Sequence, residues 1–449
     1  MGQKRKGDKI KKFFWIILVI LSVLLFVFLM IFFNRQNSEI IKKEFPDRGL
    51  PVMEIDLHEV SLDEIDGGLK DVEYGENSLK VYCNDELMEY DGLKIRGRGN
   101  LTWEKEKKPY KIKLNRKVDL LGMGKAKKWN LLANYSDATN IRNEVAFDLI
   151  DMLGMEYNFK GKFVELYIDG DYRGLYYLTH VVEIGKNMVD LRDPFGILVE
   201  LDNRYWGREE YYETRNEEHL IIKDVVSYDN KEAAMEDFLN SFNKAEVAIE
   251  EKNYKTINEI IDVDSFAKYY LLSEFINNPD AYWTSFYFYK DGLDDKIHAG
   301  PGWDFDLSFA NKQWGNWMGE LFYSPTQMMA RKGELLPKEF YEEMGVEGGY
   351  EVSIQLSRIM YDLMDIPEFQ REVERVYRER ISGRIEDLIM MIDDVVKDIE
   401  VTVKVDEKRW QKGNFQEEME EMVKWIKMRY DFFEKVYGYL QKSDEVIDL

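Results

Sequence analysis

The sequence predicts an α+β protein of two lobes, strand-rich first and mostly helical second, preceded by one apolar helix. Three observations carry this. Short runs with apolar residues at period two crowd the first half of the chain. Apolar residues recur in steps of three to five over the last hundred. The 21 residues from Phe13 to Phe33 carry no charge, and Ser22 is their one polar member.

That apolar run is long enough to span a bilayer, which needs about 20 residues at 1.5 Å rise each. Asn34-Arg35-Gln36-Asn37 follows it and offers no small-x-small cleavage site, so the run reads as a signal anchor. Lys4, Arg5, Lys6, Lys9, Lys11 and Lys12 precede it, whereas only Arg35 follows closely. The positive-inside rule then places residues 1–12 in the cytoplasm as a basic tail and the body outside it. The span takes 13–33, a charged linker 34–50, the first lobe 51–190 and the second 191–449.

Within the first lobe, Met53, Ile55 and Leu57 alternate with Val52, Glu54 and Asp56. Lys80–Cys83 and Leu93–Arg96 are similar short runs, and Tyr110, Ile112 and Leu114 alternate with Lys111 and Lys113. Asn140 to Leu153 switches to helical spacing, with Ser136, Asp137 and Thr139 as candidate caps and Gly154 as the stop. Phe163–Val182 reads as a hairpin turning at Asp169-Gly170. In the second lobe Gly196–Leu201 is a strand candidate, and helices begin near Lys231 and run through Phe266–Leu272. Ser285–Phe309 mixes strand and loop. The stripe Val373, Val376, Ile381, Ile385, Leu388, Ile392, Val395 and Ile399 is core spacing, repeated by Met422, Trp425, Ile426 and Phe433.

Composition narrows the function. At 449 residues, 45% hydrophobic and 14% aromatic, the chain can bury a large core, which excludes global disorder. It has 86 acidic against 62 basic residues, a net charge of −24, which argues against a nucleic-acid binder. Cys83 is the single cysteine, so neither a disulfide framework nor a multi-thiolate zinc site is available. In its strand-like run it reads as a buried thiol, not a nucleophile. No Walker A sequence, Gly-x-Ser-x-Gly elbow or His-Glu-x-x-His is present, and the four histidines are scattered.

Three segments carry chemistry. In Arg96-Gly97-Arg98-Gly99-Asn100 the glycines let backbone approach a ligand and the arginines match phosphate oxygens; the plainer alternative is a hairpin with exposed arginines. Lys111 and Lys113 share one strand face beside that loop, either to neutralise phosphates or as a solvated edge. Asp280 follows an apolar helix in Asn277-Asn278-Pro279-Asp280, with Ser285 five residues on, and Asp304 follows Gly300-Pro301-Gly302 in Trp303-Asp304-Phe305-Asp306. Strand–turn–strand geometry between them returns both carboxylates to one end, where they can share a divalent cation or merely cap turns.

These segments together resemble the spore-coat-protein-H (CotH) kinase family, an atypical branch of the protein-kinase-like fold. The resemblance is carried by 96–103, 108–113, 129–137, Ile141-Arg142-Asn143, 174–179, Gly185-Lys186-Asn187 and 300–306, in this order. It implies ATP with Mg²⁺ or Mn²⁺ and a protein Ser/Thr hydroxyl as acceptor. Asp280 takes the place of the catalytic aspartate, and Asp304 that of the metal-binding one. Lys111, then Lys113, stands for the phosphate-neutralising lysine, and Arg96, Gly97, Arg98, Gly99 and Asn100 form the loop above the phosphates. The helix from Asn140 matches the kinase C-helix, with Glu144 as the lysine's partner. Protein kinases carry Asn five residues after the catalytic Asp; here Ser285 stands there as the remaining metal ligand, with Asp306 in place of glycine. The family often has an acid where His180 stands. The implied function is a membrane-anchored kinase of cell-surface or spore-coat assembly. The alternatives are an inactive scaffold on the same fold, and a metal-dependent hydrolase built on Asp280, Asp304 and Asp306.

Overall fold

The computed structural model describes residues 15, 17–30, 45–203, 210–314, 323–330 and 358–447, with side chains as far as 437. Residues 17–30 are helical with their apolar side chains exposed. Among the described residues no helix is long and apolar enough to cross a membrane. The expected basic tail, most of the linker, and residues 13, 14, 16 and 31–33 of the expected span lie outside the described residues.

The first lobe is a closed barrel of seven strands. Along the chain come β1 (Val52–Asp56), helix α1 (Leu62–Gly67), β2 (Tyr74–Cys83), β3 (Glu86–Gly97), β4 (Tyr110–Asp119), β5 (Lys125–Leu132), helix α2 (Arg142–Leu153), β6 (Lys162–Ile168) and β7 (Asp171–His180). The order is β1-β2-β3-β4-β5-β7-β6, and a parallel pairing of β6 with β1 closes it. Period two sorts the side chains: Met53, Ile55, Leu79, Val81, Leu93, Ile95, Ile112 and Leu114 fill the barrel, and Lys111 and Lys113 stand outward. The β6–β7 turn has Asp169 at φ +49° and Gly170 at φ +74°, the left-handed pair that a two-residue hairpin requires. β5 was not expected; its lysine-rich first half, Lys125-Ala126-Lys127-Lys128, and its Trp129-Asn130-Leu131-Leu132 half do not together alternate apolar with polar residues.

The second lobe carries β8 (Ile197–Leu201), β9 (Tyr212–Glu213), β10 (His219–Val225), α3 (Lys231–Glu250), α4 (Tyr254–Ile260), α5 (Val263–Ile276), β11 (Phe286–Lys290) and β12 (His298–Ala299). It ends in α6 (Arg358–Leu363), α7 (Pro367–Arg380), α8 (Ile385–Trp410) and α9 (Phe415–Ile447). Its strands form one sheet in the order β12-β11-β8-β10-β9. The stripe from Val373 to Ile399 spans two helices, since Gly383 at φ +74° breaks it. Helix α2 sits in this lobe's core: Val145, Phe147, Leu149 and Ile150 join the same apolar cluster as α5, β8 and β11. It ends at Gly154 in the left-handed conformation, as its sequence predicts, and Asp137 Oδ2 accepts the Arg142 N–H at its start.

Buried charges fasten the lobes together. Lys107, just before β4, pairs with Asp406 on α8 at 2.8 Å, and Lys412 in the α8–α9 turn reaches the same carboxylate at 3.0 Å. All three side chains are nearly or wholly buried, and Asp406 also accepts the Leu175 N–H of β7. The Lys107 ammonium is held down to about 7, chiefly by burial and against the pull of Asp406.

Candidate active site

The acidic loop is positioned by its own alternation. Trp303 packs on Phe147 and Phe159, and Phe305 meets Phe147 edge-on at 5.5 Å, so two aromatics pin the loop to α2. Asp304 and Asp306, between and after them, are left partly exposed. Gly302 allows the close seat: a Cβ there would lie 2.7 Å from Ile150 of α2 and 2.9 Å from Leu272 of α5. Asp304 has φ +68°, a region a side chain with a Cβ rarely occupies, and Ser285 and Tyr282 share it at +52° and +68°. Such residues gather at functional sites when surrounding contacts hold them there.

Asp280 lies in the turn between α5 and β11. Because β11 and β12 pair antiparallel, this turn and the acidic loop leave the sheet at one end. Ser285 Oγ donates to Asp304 Oδ2 at 3.2 Å, and Asn278 Nδ2 donates to the Asp304 carbonyl at 3.2 Å. The Asp306 carboxyl is pushed well above the usual range, first by burial, then by Asp304, Asp280 and Asp137. Arg98 faces Asp304 and Asp306; burial pulls its guanidinium down and the two carboxylates oppose this. The fold therefore brings together Asp280, Ser285, Asp304, Asp306 and Arg98.

A second charge centre lies on the outer face of the barrel. Lys111 sits opposite Arg96 on β3 and Asn130 on β5. Its ammonium is lowered to about 8 by burial, then by repulsion from Arg96, Lys128 and Lys223, with Glu183 opposing. Glu183 pairs with Lys128 at 2.5 Å. Lys223 of β10 pairs with Glu200 of β8 at 2.8 Å, and Glu200 accepts from Tyr287 Oη at 2.9 Å. The Tyr287 hydroxyl is pushed well above its ordinary range, first by burial, then by Glu200, with Asp304 adding to the shift, so Glu200 and Tyr287 lie between the basic centre and the acidic one. Lys113 stands one rung further out, opposite Lys94 and Lys128.

Several expectations need correction. Glu144 is not the partner of Lys111: it accepts from Tyr177 Oη and pairs with Lys160 at 3.4 Å, because α2 packs into the second lobe's core. The loop glycines make room for the loop itself. A Cβ on Gly97 would lie 2.7 Å from the Trp103 ring, and one on Gly99 would meet Thr102 Oγ1. Arg96 pairs with Asp71 at 2.7 Å, and Lys70 Nζ holds Asn100 Oδ1 at 2.7 Å. Cys83 is only half-buried, and its thiol is raised, first by burial and then by Glu86. Sequence reasoning passed over Lys128 on β5, Glu183 in the loop after β7 and Lys223 on β10, which lie far apart along the chain with nothing local to mark them.

Among the described residues no group of three or more His, Cys, Asp or Glu side chains is arranged to hold a metal ion. The donor set nonetheless fits a hard cation bound together with a ligand. Mg²⁺ typically takes one or two carboxylates plus phosphate oxygens and water, and the charge crowding that raises Asp306 is what a cation relieves.

Comparison with curated proteins finds no match. A family model described as CotH kinase protein matches residues 95–433, from the end of β3 through the glycine-arginine loop and the acidic loop into α9. This covers most of the chain, and the chain belongs to the CotH kinase family.

Proposed function

We propose that the chain is a metal-dependent kinase that transfers the terminal phosphate of a nucleoside triphosphate, ATP, to Ser or Thr hydroxyls of a protein. The observation that supports this best is the nearness of two unlike charge centres: Asp280, Asp304 and Asp306 with Ser285 and Arg98 form one, and Lys111 with its cationic neighbours forms the other, where Lys223 pairs with Glu200 and Glu200 accepts from Tyr287. Lys111 and Arg98 bind and orient the phosphate tail. Asp304 and Asp306, with Ser285 beside them, are the residues that hold Mg²⁺ or Mn²⁺, whose charge screens the phosphate oxygens. Asp280 accepts the proton of the acceptor hydroxyl as the new O–P bond forms and the bond to the nucleoside diphosphate breaks. Such catalysis is mainly positioning and charge stabilisation. The apolar N-terminal run serves as a membrane anchor that places the body outside the cytoplasm, where surface or coat proteins are the acceptors.

The test is thermal denaturation of the full chain with ATP and Mg²⁺ or Mn²⁺, followed by assay of transfer. A ligand at a hundredfold excess over its dissociation constant stabilises by about 2.7 kcal/mol. We expect a metal-dependent rise in midpoint that Asp304→Ala removes, and Asp280→Ala to keep the rise but lose transfer. A rise unaltered in Asp304→Ala refutes the metal assignment. One observation favours an inactive scaffold instead: Arg96 is already paired with Asp71 at 2.7 Å, and Trp103 and Thr102 of the same loop crowd Gly97 and Gly99. That reading requires no ATP-dependent rise with either metal.

A further inference from the structure

The peptide group joining Asp304 to Phe305 is gripped from both sides. Its carbonyl accepts from Asn278 Nδ2 at 3.2 Å. Its N–H donates to Asn143 Oδ1 at 3.0 Å. Asn143 comes from the first turn of α2, and Asn278 follows the C-terminus of α5; their exposures are 5% and 4%. Asn278 uses its other end as well: its Oδ1 accepts the Asp280 N–H at 3.2 Å. One side chain thus ties the backbone of Asp280 to that of Asp304. Further along, Arg142 Nε donates to the Ser308 carbonyl at 3.0 Å and Asn311 Nδ2 to the Asp306 carbonyl at 2.6 Å.

Held from both sides, that peptide anchors the main chain at the Asp304 Cα, and with it the place from which the carboxylate projects. Asp304 holds φ +68°, which it keeps only while its surroundings favour it. A flip of the plane would leave both its polar atoms unpaired in a buried place, a costly state. Asparagine suits both positions because it binds backbone without adding charge to a cluster that already raises Asp306.

We infer that Asn143 and Asn278 are positioning residues for the Asp304 carboxylate, acting together through the single Asp304–Phe305 peptide group. This rests on the reading of Asp304 as a metal ligand. It assigns work to two motifs, Ile141-Arg142-Asn143 and Asn277-Asn278-Pro279-Asp280, whose asparagines have no other role in the proposed mechanism. Groups that orient a ligand are worth about 10–100-fold in metal affinity.

The experiment titrates Mn²⁺ against the full chain at saturating ATP, reading the thermal midpoint, with a chelator control for metal-free ATP. Asn278→Asp keeps the acceptor for the Asp280 N–H but removes the donor to the Asp304 carbonyl. It also adds a carboxylate near the cation site, which by charge alone would tighten binding. We expect it to weaken the Mn²⁺ midpoint by about tenfold or more. Asn143→Asp keeps its acceptor, so its midpoint stays within about threefold, whereas Asn143→Leu weakens it about tenfold. The metal-free response to ATP is unchanged in all three. Tighter or unaltered Mn²⁺ binding in Asn278→Asp overturns the inference, provided that Asp304→Ala abolishes the titration. If Asp304→Ala also titrates normally, the metal reading has failed and the inference falls with it. Should Asn143→Leu lose its cooperative transition, Asn278→Asp decides alone.

Discussion

Lys111 shows how the charge around one side chain sets a measurable dependence on pH. Its ammonium is lowered to about 8 because it is partly buried and faces Arg96, Lys128 and Lys223 against Glu183 alone. A nucleotide's phosphates bring opposite charge to this face and raise the group back toward the ordinary lysine value of about 10.4. Binding therefore takes up a proton wherever the free lysine has lost one. Near pH 7 about nine-tenths of the free chain carries the charge, and near pH 9 about one-tenth. Across that interval the dissociation constant should rise about tenfold, or about 1.4 kcal/mol. Ligand-free stability moves the other way: between about 8 and 10.4 the unfolded chain binds more protons at this site, so Lys111 makes stability rise with pH. The assay is ATP binding by calorimetry at several pH values, with Lys111→Met beside the unmodified chain. The variant should bind more weakly near pH 7 by about 2 kcal/mol, the worth of a charge-assisted contact, and lose the pH dependence. A flat profile in the unmodified chain, or the same slope in Lys111→Met, refutes the reasoning.

Two expectations concern stability. Asp406→Ala leaves the buried ammoniums of Lys107 and Lys412 without their shared carboxylate and should cost about 3–5 kcal/mol in denaturant unfolding; a loss under about 1 kcal/mol would show that the lobes are not fastened there. Gly99→Ala combines φ +79° with a clash against Thr102 and should destabilise by about 1–3 kcal/mol, which added Thr102→Ala partly recovers; additive losses would contradict the clash.

Local chemistry made much of the fold legible. Alternation in Tyr110–Leu114 marks a strand that exists, because one face of a barrel strand must be apolar. Asp169-Gly170 marks its hairpin, because few residues accept left-handed backbone. Gly154 marks the end of α2 for the same reason. The acidic segment Trp303–Asp306 could also be singled out, since alternating aromatic and acidic residues leave the acids where the aromatics are pinned. β5 lacked that signal, and β9 and β10 were passed over as well.

What the sequence by itself determined is therefore whatever depends on neighbours within a few residues: strand faces, turns, caps, the apolar run at 13–33 and the motifs that mark the family. Only the tertiary structure decided which distant groups meet. It placed α2 in the second lobe's core and gave Glu144 to Lys160 and Tyr177 instead of Lys111. It set Glu183, Lys128 and Lys223 around Lys111, and set Asn143 against a peptide 162 residues away. Spacing along a chain cannot encode such meetings, because they arise from how a closed barrel and a five-stranded sheet pack across a shared helix.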